Sequence, residues 1–319
     1  MKHTFPITIA IVLIFLLSQV IGLYAVSANT VVSRTPEGQI VVEHEDTAIG
    51  ERPDIQGPET FLYVLFAILI GTGLILVLVK FRKFLVWKVM FFFAVWMTCS
   101  ITLGVFIDPT AALVICFFLA FFKIWRPNIW AHNVTEPLIY AGIAVILVPL
   151  INVVWVTLLL LAISAYDIFA VWYSKHMISL AEFQTKSRAF AGIMLSYKTK
   201  TEKKIKDAGK ALKGTKGGET EVIEVREETR NAILGGGDIA FPLIFAGVVM
   251  DGMVQLGLEK TLAFAYSLII PAVVAFALFG LLALAKKDRF YPAMPFLTAG
   301  CLIGYALLWL VTAIPPVLV

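Results

Sequence analysis

The chain predicts an all-α integral membrane protein with nine transmembrane helices, and three observations carry that fold class. Sixty per cent of its 319 residues are hydrophobic, against roughly 45–50% apolar in a typical soluble domain. Mean hydropathy is +0.89. The apolar residues gather into runs of about 20, the length that crosses a bilayer, while the charges collect in the segments between them.

The spans fall at approximately 5–26, 61–79, 84–107, 110–125, 131–150, 153–173, 232–254, 261–285 and 290–314. The first is too long for the apolar stretch of a signal peptide and ends in no clear A-x-A site, so it reads as a retained helix. Glu136-Pro137 interrupts the fifth. Two polar stretches divide the chain into a six-span part (1–173), a loop (174–231) and a three-span part (232–319), and residues 27–60 form an acidic segment on the other side. Within the loop, Met177 to Tyr197 mixes apolar and polar residues as an interfacial helix does. Lys198 to Gly218 is Lys- and Gly-rich and reads as mobile. Glu219 to Glu224 alternates partly, a weak strand signal.

Charge sets the orientation. With the N-terminus in the cytoplasm, 23 of the 26 Lys and Arg lie inside, and only Arg34, Arg52 and Lys260 lie outside. Leaving the long loop aside, the split is still 10 to 3, which satisfies the positive-inside rule. Nine spans then put the C-terminus outside.

Asp167 and Asp238 each lie within an otherwise apolar span that holds no Lys or Arg. A carboxylate at bilayer depth costs roughly 2.5–3.5 kcal/mol on insertion scales, so it is kept for a task or a partner. Each lies six residues from the inner end of its span, or about 9 Å from the cytoplasmic edge at 1.5 Å per residue. Opposite chain directions bring the two to one level, and two carboxylates sharing one proton form an acid–base pair. Gly235, Gly236 and Gly237 precede Asp238 and Pro242 follows. Three glycines imply close backbone approach or an irregular start to the span, and Pro242 frees the carbonyl of Asp238. Irregular backbone at this depth is tolerated beside a water-filled cavity.

The blander readings are specific. A lone buried aspartate can bond a Tyr or Ser and only fix packing, and glycines in a span usually mark close helix contacts. Asp108, Glu136 and Asp251 fall at span ends and read as solvated. Cys99, Cys116 and Cys301 read as small core residues. The four histidines are scattered and no HExxH occurs, so no metal is expected. A proton- or cation-coupled transporter, or a leak channel, also keeps carboxylates at depth.

Tyr166-Asp167 in the sixth span, Gly235-Gly236-Gly237-Asp238 in the seventh and Pro292-Ala293-Met294 opening the ninth resemble the YD, GxGD and PAL motifs of the presenilin and signal-peptide-peptidase family. Their order, the span number and the loop between spans six and seven make the chain similar to an archaeal presenilin homologue over its whole length. Gly236 stands where many relatives have Leu, which GxGD permits. Met294 stands in place of Leu, a swap that roughly conserves volume. Prepilin peptidases also carry GxGD, but their Cys-rich cytosolic domain is absent here.

The resemblance implies an intramembrane aspartyl protease that cleaves within transmembrane segments, with Asp167 and Asp238 as its acid and base. It implies that Tyr166, Gly235, Gly236, Gly237, Pro292, Ala293 and Met294 shape the substrate site. It implies no metal or organic cofactor and no nucleic acid. The presenilin orientation implies a multi-pass cell-membrane protein acting on type I membrane proteins in the bilayer, with oligomerisation left open. A substrate helix must expose backbone to be cut, and strand addition would satisfy that backbone. Glu221 to Val225 is the edge expected to receive it, by analogy with relatives.

Overall fold

The structure is a computed structural model that describes residues 5–36, 40–174, 180, 183–184, 186–187, 189–206, 221–285 and 291–312. Helix α1 (Phe5–Asn29) leads into a hairpin of β1 (Thr30–Arg34) and β2 (Ile40–His44). Helices α2 (Pro58–Lys80), α3 (Phe84–Gly104), α4 (Pro109–Trp125), α5 (Ile129–Leu147) and α6 (Val153–Ile168) follow. A π turn at Phe169–Tyr173 extends α6. A second hairpin pairs β3 (Gly192–Lys206) with β4 (Glu221–Gly235), and β4 runs straight into α7 (Gly236–Gln255). Then come α8 (Lys260–Ser267), α9 (Ile269–Leu284) and α10 (Met294–Thr312).

Eight helical segments among the described residues are long and apolar enough to cross a membrane. Helix α4, with 17 residues, sits at the lower limit for a span. Helices α8 and α9 together make the eighth predicted span. They part at Leu268 because Pro271 has no N–H and its ring would collide with the carbonyl of Ser267. Pro137 has no such effect, and α5 continues through it.

Burial ranks the helices. The most apolar window of α7 is 83% buried and that of α2 only 6%, so α7 is the core of the bundle and α2 its lipid-facing edge. Small residues let α7's neighbours approach. A side chain at Gly22 of α1 would collide with Leu243, and one at Gly247 would meet Val148 at 2.7 Å. Close backbone approach is the main source of packing energy between helices in lipid.

Three readings of the loop are corrected. Residues 192–197 are strand, so the interfacial helix expected over 177–197 does not extend through its last six residues; part of the remainder lies outside the described residues. Strand β3 also takes in Lys198–Lys206, expected to be mobile, while 207–220 lie outside the described residues. The weak strand signal at Glu219–Glu224 belongs to a strand that runs from Glu221 to Gly235 and occupies the first four residues assigned to the seventh span. Val225 is ten residues from Gly235, hence about 33 Å away along the strand, too far to serve the aspartates.

The hairpin's pairing decides which edge is open near the membrane. The N–H and C=O of Gly192 are both taken by α5, at Glu136 (3.0 Å) and His132 (2.7 Å). Asn133 takes both backbone groups of Met194, at 3.1 and 2.9 Å. Gly192 and Met194 therefore face away from β4, and so their register partners Gly235 and Ile233 face away from β3. Among the described residues no strand pairs with that far edge of β4.

Candidate active site

Asp167 sits in the last turn of α6, one residue before the helix passes into the π turn. Single π turns of this kind recur at functional sites. Its Oδ2 accepts the backbone N–H of Met294 at 3.1 Å, and the amide of Ala293 faces the same carboxylate. These amides open α10, where the first N–H groups of a helix have no partner of their own and the helix dipole favours an anion. The Pro292-Ala293-Met294 stretch thus reaches Asp167 through its backbone. That explains how methionine is accommodated in place of leucine. Ser164 binds Thr298 at 2.8 Å, locking α6 to α10 one turn from these contacts.

Asp238 lies in the first turn of α7, not a turn and a half inside a span. The extended backbone of Gly235 gives way to helix at Gly236. The Gly235 amide faces the Asp238 carboxylate, and Asp167 lies within electrostatic range of it. Both aspartates are half-buried. The two acids thus come together from the C-terminal end of α6 and the N-terminal end of α7, Asp167 held by two backbone amides and Asp238 by one.

The glycines differ in what they permit. A Cβ at Gly235 would stand 3.2 Å from Oδ2 of Asp238, and one at Gly236 would stand 3.0 Å from the Tyr140 hydroxyl. Gly237 is exposed and would meet only the Phe241 ring, at 3.5 Å. The Tyr166 hydroxyl reaches Thr72 of α2 at 3.3 Å, so it ties α6 to the peripheral helix. Among the described residues no group of three or more His, Cys, Asp or Glu could hold a metal ion.

Two acidic residues read as solvated are buried instead. Glu136 is 0% exposed and pairs with Lys123, itself 3% exposed, at 2.5 Å. Asp251 is 5% exposed and bonds His44 and Gln255, each at 2.8 Å. Asp108, the third, is exposed and caps α4 through the Ala111 N–H. The sequence held a signal for the first pair: an acid and a base near the adjoining ends of consecutive spans joined by a short loop.

A family model described as signal-peptide peptidase, presenilin aspartyl protease matches residues 39–314. The chain belongs to that family. It is an intramembrane aspartyl protease, multi-pass in the membrane and acting on transmembrane substrates. Two solved structures of a presenilin family intramembrane aspartate protease share its fold. The C222 form has a TM-score of 0.56 at 17% identity, covering 96% of this chain and 99% of that one. The P2 form has the same TM-score and identity, covering 95% and 97%. The comparison with curated proteins gives no match. The transporter reading finds no support among these relatives.

Proposed function

We propose that Asp167 and Asp238 are the catalytic pair and that they hydrolyse the scissile peptide bond by sharing one proton. The observation that carries this reading is that both carboxylates are met by backbone amides, two at Asp167 and one at Asp238, and that the charge facing Asp238 is another acid. Two like charges at close range cannot both ionise. The ionised member takes a proton from water as the water attacks the scissile carbonyl. The protonated member donates to the carbonyl oxygen as the tetrahedral intermediate forms. The pair titrates as a unit, so the roles belong to the pair. The amides of Ala293 and Met294 hold Asp167 in place with Pro292 leading into them, and Gly235 to Gly237 let backbone approach Asp238. Tyr166 steadies α6 behind them.

The substrate backbone, once unwound, pairs with the far edge of β4 at Ile233 and Asn231, a few residues from Asp238. This replaces the Glu221–Val225 edge and is supported by the outward-facing register of Ile233. Charge balance supports an inside N-terminus, an outside C-terminus and type I substrates. Cysteine labelling at Thr47 and Thr215, in a background without native cysteines, checks that orientation. Outside labelling of Thr215→Cys would overturn it. The activity test is mass spectrometry of a transmembrane peptide incubated with purified protein. Cleavage by the wild type and none by Asp167→Asn or Asp238→Asn is the expected result; retention of more than a few per cent by either variant would defeat the pair.

A further inference from the structure

Behind the aspartates lies a buried polar cluster that hydrolysis itself does not use. Lys123 of α4 spends its ammonium donors on Glu136 (2.5 Å), Thr135 Oγ1 (2.8 Å) and the carbonyl of His132 (3.3 Å). Glu136 Oε2 accepts the N–H of Gly192 at 3.0 Å and also the Tyr140 hydroxyl. Gly192 is the register partner of Gly235, and Gly236 donates to the carbonyl of Ala191 at 3.3 Å. The Tyr140 hydroxyl lies against Gly236. A single carboxylate on α5 therefore reaches the segment that carries Asp238 by two routes, through the β3 backbone and through Tyr140.

A buried ion pair is a poor source of stability, since desolvation offsets most of the attraction. This one has a different consequence. His132 and Asn133 of α5 also hold β3, at the Gly192 carbonyl and at Met194, but only Glu136 reaches both the Gly192 N–H and, through Tyr140, the side of Gly236, and Asp238 lies three residues after the ladder ends. We propose that Glu136 is a positioning residue for the aspartate pair: charge-balanced by Lys123, it fixes the base of the β3–β4 hairpin to α5 and, with Tyr140, sets the height of Gly236 and so of Asp238. The inference rests on the reading of Asp167 and Asp238 as catalytic.

The test separates the acceptor from the charge. Lys123→Met/Glu136→Gln removes both charges but keeps an oxygen for the Gly192 N–H. Lys123→Met/Glu136→Leu has similar volume and no acceptor. The first loses less than about threefold in kcat on a transmembrane peptide, a hydrogen-bond-sized effect. The second loses about tenfold or more in kcat with KM within about twofold, as a small misplacement of the reacting group does. Both melt together. Equal kcat in the two double variants would overturn the proposal. If the leucine variant does not fold, Tyr140→Phe decides: a severalfold fall in kcat at unchanged KM supports the proposal, and a wild-type kcat overturns it. Asp238→Asn is run alongside. Cleavage surviving in that variant sinks the catalytic reading itself, whereas cleavage at full rate only in the leucine or phenylalanine variant sinks the positioning role alone.

Discussion

Helix α7 carries an aspartate near each end, and the two differ in company. Asp251, toward the C-terminal end, is hydrogen-bonded by side chains: His44 from the β1–β2 hairpin and Gln255 one turn on, both at 2.8 Å. Asp238, at the N-terminal end, has a backbone amide and another acid. The first arrangement satisfies a carboxylate and ties the β1–β2 hairpin to the core. The second leaves a carboxylate facing another acid, the arrangement that the proposed proton-sharing pair requires. Burial of an acid in a membrane protein is therefore a weak sign of chemistry, and the identity of its partners is the stronger one.

The most forceful way to break that contrast is to neutralise each acid in turn. Asp238→Asn lowers cleavage on the order of a thousandfold or more, since neither carboxylate alone supplies both acid and base. Asp251→Asn keeps the rate within about twofold but destabilises the fold by about 1–3 kcal/mol, because it weakens a buried charge-assisted bond. Purified variants, assayed for peptide cleavage and thermal unfolding, distinguish the two. Comparable losses of activity would erase the distinction between the ends.

Ile233→Pro comes next. It removes an N–H from the outward edge of β4 without touching the ladder to β3, and lowers cleavage about tenfold. Ile233→Thr, which keeps the donor, stays near the wild-type rate. A proline variant as active as the threonine control would leave substrate pairing without support.

Gly236→Ala gives a smaller effect. Its Cβ would sit 3.0 Å from the Tyr140 hydroxyl, so either the ring or the start of α7 must shift. A fall of about fivefold in kcat is expected from such overpacking. Gly237→Ala, with its Cβ facing only the Phe241 ring at 3.5 Å, changes the rate less; the reverse order would contradict the close approach at Gly236.

The spans were legible because lipid leaves little choice: a crossing segment must be long, apolar and self-bonded. Asp167 and Asp238 stood out for the same reason. The β3–β4 hairpin was hidden because Ile193, Met194 and Leu195 run together without alternating, as they can on a helix, and Lys dominates the rest of β3. The start of α7 was hidden because three glycines suit a loop, a strand end or a helix start equally well. The burial of Glu136 and Asp251 depends on Lys123 and His44, which lie on other elements, and span hydropathy does not report a pairing between elements.

The central claim is that two carboxylates sharing one proton do the chemistry, and the pH dependence of kcat/KM on a transmembrane peptide tests it most directly. The account predicts a bell, its two limbs belonging to the pair: activity is lost at low pH when both acids are protonated and at high pH when both are ionised. Asp251→Asn leaves both limbs where they are. A rate that stays flat from acid to strongly alkaline pH, with the protein verified intact, would contradict it.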